Sequence, residues 1–306
     1  MKLVQYSAGV PYRKINIRLY EDFVEYRIEN RVQLSENVFQ MDVSAPMIAR
    51  ARRPGQFVIV GLDAEGGERI PLTIAGADAA KGTIRLVFQR VGKTTAQMAD
   101  HKVGDSLGYV AGPLGNPTHI EKFGTVVCVG GGIGAAPLFP IAEGLKQAGN
   151  RILTILGARN RELLILEGDF RSISDEVIIV TDDGSYGRKA LVTEPLKEVC
   201  LRPDKPNLAV AIGPAVMMKF CCMVTKEFSV PTVVSLNTIM VDGTGMCGGC
   251  RVEVGGKTKF VCVDGPEFDG HQVDFDQMIK RMNAYKTLEQ KAYQAYQDHC
   301  CRIGLK

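Results

Sequence analysis

Four residues near the C-terminus stand at a spacing that suits metal chemistry. Cys247, Cys250 and Cys262 fall in the segment Met240–Cys262 as C-x2-C-x11-C, and Asp242 stands five positions before the first of them. The plant-type [2Fe–2S] ligand spacing is C-x4-C-x2-C followed by a distant cysteine. The pattern D-x4-C-x2-C-x11-C matches it, with a carboxylate in place of the first thiolate. A carboxylate oxygen can ligate ferric iron, so the departure permits a cluster and should alter its potential. Gly243, Gly245, Gly248 and Gly249 fill the loop, where glycine lets backbone N–H groups approach bridging sulfides. Three thiolates and one carboxylate would also make a tetrahedral zinc site. Zinc ribbons usually show two C-x2-C knuckles, and this chain has one.

Two further groups point to phosphate. Gly92, Lys93, Thr94 and Thr95 end an apolar run and open a helical pattern. Backbone N–H groups at a helix N-terminus beside a lysine favour a phosphate; the same residues would also serve as a plain capped helix. A Walker A loop is excluded, because no glycine stands five positions before Gly92. Gly130-x-Gly132-x-x-Ala135 follows the strand-like run Thr125–Val129 and precedes a helical pattern reaching about Ala148. That is the strand–turn–helix setting of the dinucleotide fingerprint in its G-x-G-x-x-A form. No serine or cysteine nucleophile has a recognisable motif. The four histidines lie among polar residues, which assigns them no catalytic role.

The elements that must position these groups divide the chain into an N-terminal extension (1–23), a β-rich part (24–120), an α/β part (121–236) and a C-terminal lobe with a helix (237–306). Short strands over Tyr26–Val32, Val38–Val43, Gln56–Gly61, Ile84–Phe88 and Ser106–Val110 predict an antiparallel barrel or sandwich. Pro54-Gly55, Gly66-Gly67, Lys81-Gly82 and Gly104-Asp105 supply the turns between them. Beyond Gly124, strands at Arg151–Leu156, Glu176–Thr181 and Asn207–Ile212 alternate with helices at Arg161–Phe170, Val192–Val199 and Ala215–Phe228. Such alternation predicts a doubly wound parallel sheet. Ligands on such sheets sit beyond the carboxyl ends of the strands. Those ends carry Gly130, Gly131, Gly132 and Gly134, then Gly157-Ala158-Arg159, then Asp182 and Asp183, then Gly213 and Pro214. Asp274–Gln277 predicts a capped helix start, with Phe275, Met278, Ile279, Met282 and Tyr285 on one face.

Composition narrows the function classes. The 306 residues allow two or three domains, and a net charge of +3 without Lys/Arg runs excludes a nucleic-acid partner. Gly124–Ala142 carries no charge and is long enough to span a bilayer. Gly130, Gly131, Gly132 and Gly134 and its prolines at Pro137 and Pro140 read instead as strand and turn, so no membrane helix is expected. The N-terminus lacks the apolar region of a secretory signal. Nine cysteines then predict a cytoplasmic chain whose thiols are ligands or core residues. Cys128, Cys221 and Cys222 are expected in the core.

Taken in order, RIPLTI, VGKTT, VGGGIGAAP, TDDGSYG, AIGPAVMM and VSLNTIMVDGTGMCGGC resemble the motifs of the ferredoxin–NADP reductase superfamily. The chain is most similar to the branch holding the small flavin subunits of NADH-dependent reduced ferredoxin:NADP oxidoreductases, sulfide dehydrogenase subunits and dihydroorotate-dehydrogenase-like electron-transfer subunits. The resemblance runs from about Glu25 to about Asp276. It implies an FAD-binding barrel, an NAD(H)-binding α/β domain and a [2Fe–2S] lobe. Pro71, Leu72 and Thr73 would lie against the isoalloxazine ring, with Thr73 the hydroxyl nearest N5. Gly92–Thr95 would hold the FAD diphosphate. Gly130–Gly134, Asp182, Asp183, Gly213, Pro214 and Met217 would hold NAD(H), and Asp242, Cys247, Cys250 and Cys262 the cluster. The superfamily's phosphate-pairing arginine stands three residues before the Ser/Thr. Here that position is Ile70, and Arg69 is one earlier.

The resemblance also implies a large partner similar to the glutamate synthase small subunit, with a second FAD and [4Fe–4S] clusters. That partner would bind NADP(H) and ferredoxin and carry out electron bifurcation. The electron-transfer subunit of an NAD-dependent dihydroorotate dehydrogenase is the alternative, although there the first cluster ligand is cysteine where this chain has Asp242. A non-catalytic nucleotide-binding regulator with a zinc knuckle is the reading from another class.

Overall fold

Alternating apolar residues build the first sheet of this computed structural model, which describes residues 25–63 and 67–302. The extension expected over 1–23, and Gly66 of one expected turn, lie outside the described residues. The strands are β1 (Tyr26–Ser35), β2 (Val38–Ser44), β3 (Phe57–Gly61), β4 (Arg69–Asp78), β5 (Thr83–Gln89), β6 (Ser106–Leu107) and β7 (Tyr109–Leu114). Their connections hold helices α1 (Pro46–Ala51) and α2 (Lys93–Asp100). The spatial order is β6-β1-β2-β5-β4-β3-β7, with every pairing antiparallel. Gly108 alone separates the two edge strands, so the sheet curls into a nearly closed barrel. Phe39, Met41 and Val43 point inward at the strand period of two and meet Val58, Val60, Ile74, Leu86 and Phe88. Each such side chain contributes roughly 1.5–3 kcal/mol by leaving water.

The second sheet contains β8 (Thr125–Gly131), β9 (Arg151–Ala158), β10 (Glu176–Thr181), β11 (Arg188–Lys189), β12 (Leu208–Ile212) and β13 (Thr232–Ser235). Helices α3 (Ala135–Gln147), α4 (Glu167–Ile173), α5 (Thr193–Cys200) and α6 (Ala215–Glu227) connect them. The order β11-β10-β9-β8-β12-β13 is parallel throughout. Helices α3 and α4 cover one face, and α5 and α6 the other. Strands buried on both faces read as continuous apolar runs, and Val126–Val129 and Ala209–Ala211 are buried throughout. Cys128, Cys221 and Cys222 are core residues, as expected. The helix expected over Arg161–Phe170 is broken: a single 3-10 turn spans Arg161–Leu163 and α4 starts at Glu167. Leu164, Ile165 and Leu166 all pack on the core beneath α3. Leu164 is extended at φ −77° and Leu166 is left-handed at φ +58°, so no helix runs through these residues.

The C-terminal lobe holds β14 (Arg251–Val254), β15 (Lys257–Phe260), α7 (Val261–Asp264), β16 (Glu267–Asp269), α8 (Phe275–Met282) and α9 (Lys286–Arg302). β16 pairs antiparallel with β13, which stitches the lobe to the edge of the parallel sheet. The Asp274 carboxylate caps α8 by accepting from the Gln277 N–H at 2.9 Å. Phe275, Met278, Ile279 and Met282 join the sheet's core. Tyr285 does not share that face: α8 ends at Met282, where the Asn283 side chain donates back to the Ile279 carbonyl at 3.0 Å. A second helix, α9, then runs back to the barrel, where the Tyr296 hydroxyl donates to Asp100 on α2 at 2.7 Å. No helix among the described residues is long and apolar enough to cross a membrane. The uncharged stretch Gly124–Ala142 is β8 and the start of α3.

Candidate functional site

The loop between β13 and β14 carries Asp242, Cys247 and Cys250, and α7 carries Cys262. Gly243, Gly245 and Gly248 adopt φ of +75°, +88° and +65°, which only glycine takes without penalty. The Asp242 carboxylate accepts from the N–H groups of Thr244 at 3.0 Å and Cys247 at 2.8 Å. Those bonds hold its carboxyl below the usual carboxylate range. The Sγ atoms of Cys250 and Cys262 lie 3.2 Å apart, and both residues are buried. Burial, together with the Cys250 contact, pushes the Cys262 thiol up to about 12, so a bound cation is needed to keep it ionised. The N–H of Gly249 is directed at the Cys247 sulfur at 3.4 Å. The N–H of Cys262 is directed at the Cys250 sulfur at 3.5 Å.

The donors fall into two pairs. Among the described residues no three His, Cys, Asp or Glu side chains converge on one ion. Asp242 is tied to Cys247 by the loop backbone, and Cys250 faces Cys262. A single zinc requires four donors on one centre, whereas two irons sharing four protein ligands take two each. Two sulfurs bound at about 2.3 Å to one tetrahedral metal stand roughly 3.8 Å apart, so the Cys250–Cys262 pair needs to open by roughly 0.6 Å. The donor set fits a binuclear cluster better than zinc. The loop rests on the barrel: a Cβ on Gly243 would lie 2.7 Å from both Ile59 and Leu114. Ile59 on β3 is the cross-strand partner of Pro71 on β4, so one strand separates the loop from the expected flavin strand.

On that strand Pro71, Leu72 and Thr73 are half-buried and pair with Ile59, Val58 and Phe57. Arg69 sits at the exposed strand end with its guanidinium 5.0 Å from the centre of the Tyr109 ring. Gly92 is the N-cap of α2, and the Thr95 hydroxyl accepts from the N–H groups of Gly92 at 3.0 Å and Val91 at 3.1 Å. The first helical bond runs from Ala96 to the Gly92 carbonyl. The amides of Lys93, Thr94 and Thr95 therefore precede it and face the helix end. The Thr94 hydroxyl donates to the Glu68 carboxylate, so the chain's own anion stands at that end.

The Gly130–Gly134 turn lies at the sheet's switch point, where β8 has β9 on one side and β12 on the other. Gly132 has φ +53°, and nothing lies within 4 Å of where its Cβ would be, which leaves open space over the turn. Gly134 is the opposite case, since a Cβ there would stand 2.3 Å from the Ile212 carbonyl oxygen and 2.7 Å from the Gly213 Cα. Met217 covers Gly131 and Gly213, and Pro214 is the N-cap of α6. Asp182 and Asp183 are exposed at the end of β10, as is Arg159 at the end of β9. Asp183 accepts from the Ser185 N–H at 2.8 Å, one of the Ser185 contacts that hold its carboxyl low.

One residue of the assembly gives no signal in the sequence. Glu267 on β16 accepts from the Thr118 hydroxyl at 2.5 Å, where barrel, sheet and lobe meet. Backbone bonds from Thr118 to Pro54 at 2.9 Å and from Asn116 to Gly265 at 2.7 Å close the same junction. Burial pushes the Glu267 carboxyl from 4.5 up to about 7. The folded chain therefore holds this proton after the unfolded chain has lost it. Stability should fall between pH 4.5 and pH 7 by on the order of 2–3 kcal/mol from this group and stay level above. Glu267→Gln should flatten that segment of a melting-temperature profile and raise the melting temperature at pH 8. Parallel profiles for the two proteins would remove Glu267 as the cause.

The chain is similar to known proteins. Residues 237–274 match the iron–sulfur cluster binding domain of dihydroorotate dehydrogenase B. A dihydroorotate dehydrogenase B (NAD(+)) electron transfer subunit homolog from Thermotoga maritima is 49% identical over 88% of this chain and 94% of that protein. The electron transfer subunit from Desulforamulus reducens is 36% identical over 78% of this chain and 94% of its own length. A solved structure of the NADH-dependent reduced ferredoxin-NADP oxidoreductase, studied for flavin-based electron bifurcation, superposes with a TM-score of 0.84. It is 47% identical and covers 89% of this chain and 98% of that one.

Proposed function

Because the chain belongs to the family of dihydroorotate dehydrogenase B electron-transfer subunits, we propose that it is the flavin subunit of an electron-bifurcating NADH-dependent ferredoxin:NADP+ oxidoreductase. It is an electron-transfer flavoprotein, an oxidoreductase subunit using FAD, NAD(H) and [2Fe–2S]. When bound, these groups supply hydride acceptance and single-electron relay, while the protein supplies position and electrostatics. Pro71 and Leu72 would offer a half-buried surface for the flavin ring, and the Thr73 hydroxyl would be the donor to its reacting edge. The α2 amides and Lys93 hold the FAD diphosphate, with Glu68 released from Thr94. Arg69 reaches that phosphate only by leaving Tyr109. The open space over Gly132, with Gly130, Gly131, Gly134, Gly213, Pro214 and Met217 around it, takes the dinucleotide. Asp182 and Asp183 accept from its ribose hydroxyls. Asp242 and Cys247 ligate one iron, and Cys250 and Cys262 the other.

The observation that carries this reading is the contact of the paired-donor loop with β3, one strand from Pro71. It gives electrons a short way from flavin to surface, where Cys247 is exposed. The bifurcating assignment is supported by 47% identity over 98% of that solved chain; the Thermotoga maritima electron transfer subunit homolog is 49% identical and the Desulforamulus reducens subunit 36%. Its partner is then a large subunit similar to the glutamate synthase small subunit, with FAD and [4Fe–4S] clusters, serving NADP(H) and ferredoxin. A dihydroorotate dehydrogenase is the second reading, favoured by the cluster-domain match. Co-purification separates the two by the large subunit recovered. Nine unpaired cysteines accord with a reducing cytoplasm.

A visible spectrum of anaerobically purified protein, before and after NADH, tests the reading. Flavin bands with a cluster shoulder, both bleaching, support it. A colourless protein with stoichiometric zinc overturns it. Thr73→Val should slow flavin reduction in stopped flow about tenfold, the worth of one hydrogen bond. An unchanged rate removes Thr73 from the reaction.

A further inference from the structure

Between the cluster loop and α8 lies a cavity of about 380 Å³. Thr238, Arg251, Met278, Arg281, Met282 and Tyr285 line it, and Cys247 stands at its edge. Its size falls at the low end of small-molecule pockets, about 300–1,000 Å³. Thr238 is 7% exposed and Met278 1%, so the cavity has a buried floor. Two guanidiniums enter from separate elements. Arg251 donates to the Gly248 carbonyl at 3.2 Å, and Arg281 donates to the Gly249 carbonyl at 3.2 Å.

Each guanidinium carries five N–H donors, so one carbonyl leaves most of each fork unspent. Three acidic side chains of this lobe are engaged elsewhere: Asp276 with Lys219, Asp264 with Lys259, and Glu253 with Gln277. Among the described residues no carboxylate forms an ion pair with Arg251 or Arg281. The Thr238 hydroxyl is buried and has no hydrogen-bond partner. A buried polar group without a partner costs about 1–3 kcal/mol, which a ligand atom would recover. Two unpaired forks, an orphaned hydroxyl and a phenol beside two methionines describe a receptor for an anion with an apolar arm.

We propose that this pocket binds a small organic oxyanion, a carboxylate or a phosphate ester, against the loop that carries Cys247 and Cys250. The site stands on these side chains alone and not on the electron-transfer reading. Planar forks match carboxylate and phosphate oxygens in pairs, which is why arginine suits such ligands.

The test is calorimetric titration of the full chain, purified anaerobically with its cofactors, using inorganic phosphate and, separately, benzoate. Sodium chloride holds the ionic strength constant. Saturable single-site uptake of either probe is expected, weakened about tenfold or more in Arg281→Gln. Benzoate alone binding identifies a carboxylate ligand, and phosphate alone a phosphate ester; either supports the site. Tyr285→Glu is the second variant, because Tyr285 is 56% exposed and lies between helices, and a carboxylate there should repel both probes. The visible spectrum of each variant reports separately whether the cofactors remain in place. Heats that do not saturate, or uptake unchanged in both variants, overturn the proposal.

Discussion

Cys262→Ser is expected to leave the flavin reducible by NADH while abolishing the cluster. Its absorbance shoulder and the electron paramagnetic resonance signal of the reduced protein should both disappear. Delivery of electrons to the partner subunit should fall about 100-fold or more, since changes even in a metal's outer shell cost 10–100-fold. The reason is local. Cys262 is 2% exposed and its sulfur lies 3.2 Å from that of Cys250, so serine leaves one half of the donor set with a single thiolate in a buried place. Cys128→Ala is the control, because Cys128 is equally buried but sits within β8, inside the core. A Cys262→Ser protein that keeps the resonance signal would take Cys262 out of the ligand set. Loss of the flavin bands together with the cluster signals would show instead that the fold had failed.

Gly134→Val is expected to destabilise the chain by about 3 kcal/mol or more. The new Cβ would meet the Ile212 carbonyl oxygen at 2.3 Å, and backbone cannot rotate away as a side chain can. Helix α3 must then shift off β12, and the core it shares with α4 opens. Gly132→Ala is the companion experiment. Nothing lies within 4 Å of that Cβ, so the fold loses only about 1–2 kcal/mol from the left-handed backbone at φ +53°. The methyl group would instead stand in the space assigned to the dinucleotide. Thermal melts should therefore separate the pair, with Gly134→Val low and Gly132→Ala near wild type. NADH titration should reverse the order of interest, the Michaelis constant rising in Gly132→Ala while its melting temperature holds. If Gly132→Ala binds NADH normally, the dinucleotide lies elsewhere.

The residues alone determined what is set locally along the chain. Ligand spacing in Asp242–Cys262, the glycine turn at Gly130–Gly134, the cap at Gly92 and the apolar runs of β8 and β12 are each short-range patterns. Local backbone geometry converts such patterns into structure with little choice. From them the two-sheet architecture and the candidate cluster, flavin and dinucleotide residues could be read. Tertiary structure decided everything that depends on which distant surfaces meet. Thr118 and Glu267 are 149 positions apart, and burial at the junction they close raises the carboxyl to about 7 against the lowering effect of the Thr118 hydrogen bond. The break before α4 goes with a left-handed Leu166 and with Leu164, Ile165 and Leu166 all packing on the core beneath α3. β16 joins β13 through long-range pairing, which fixes the lobe and sets Gly243 on Ile59. The division of four donors into two pairs, and the two arginines converging beside them, follow from that docking. Side-chain environments of this kind are properties of the packed interior, and no window of sequence contains the partners that create them.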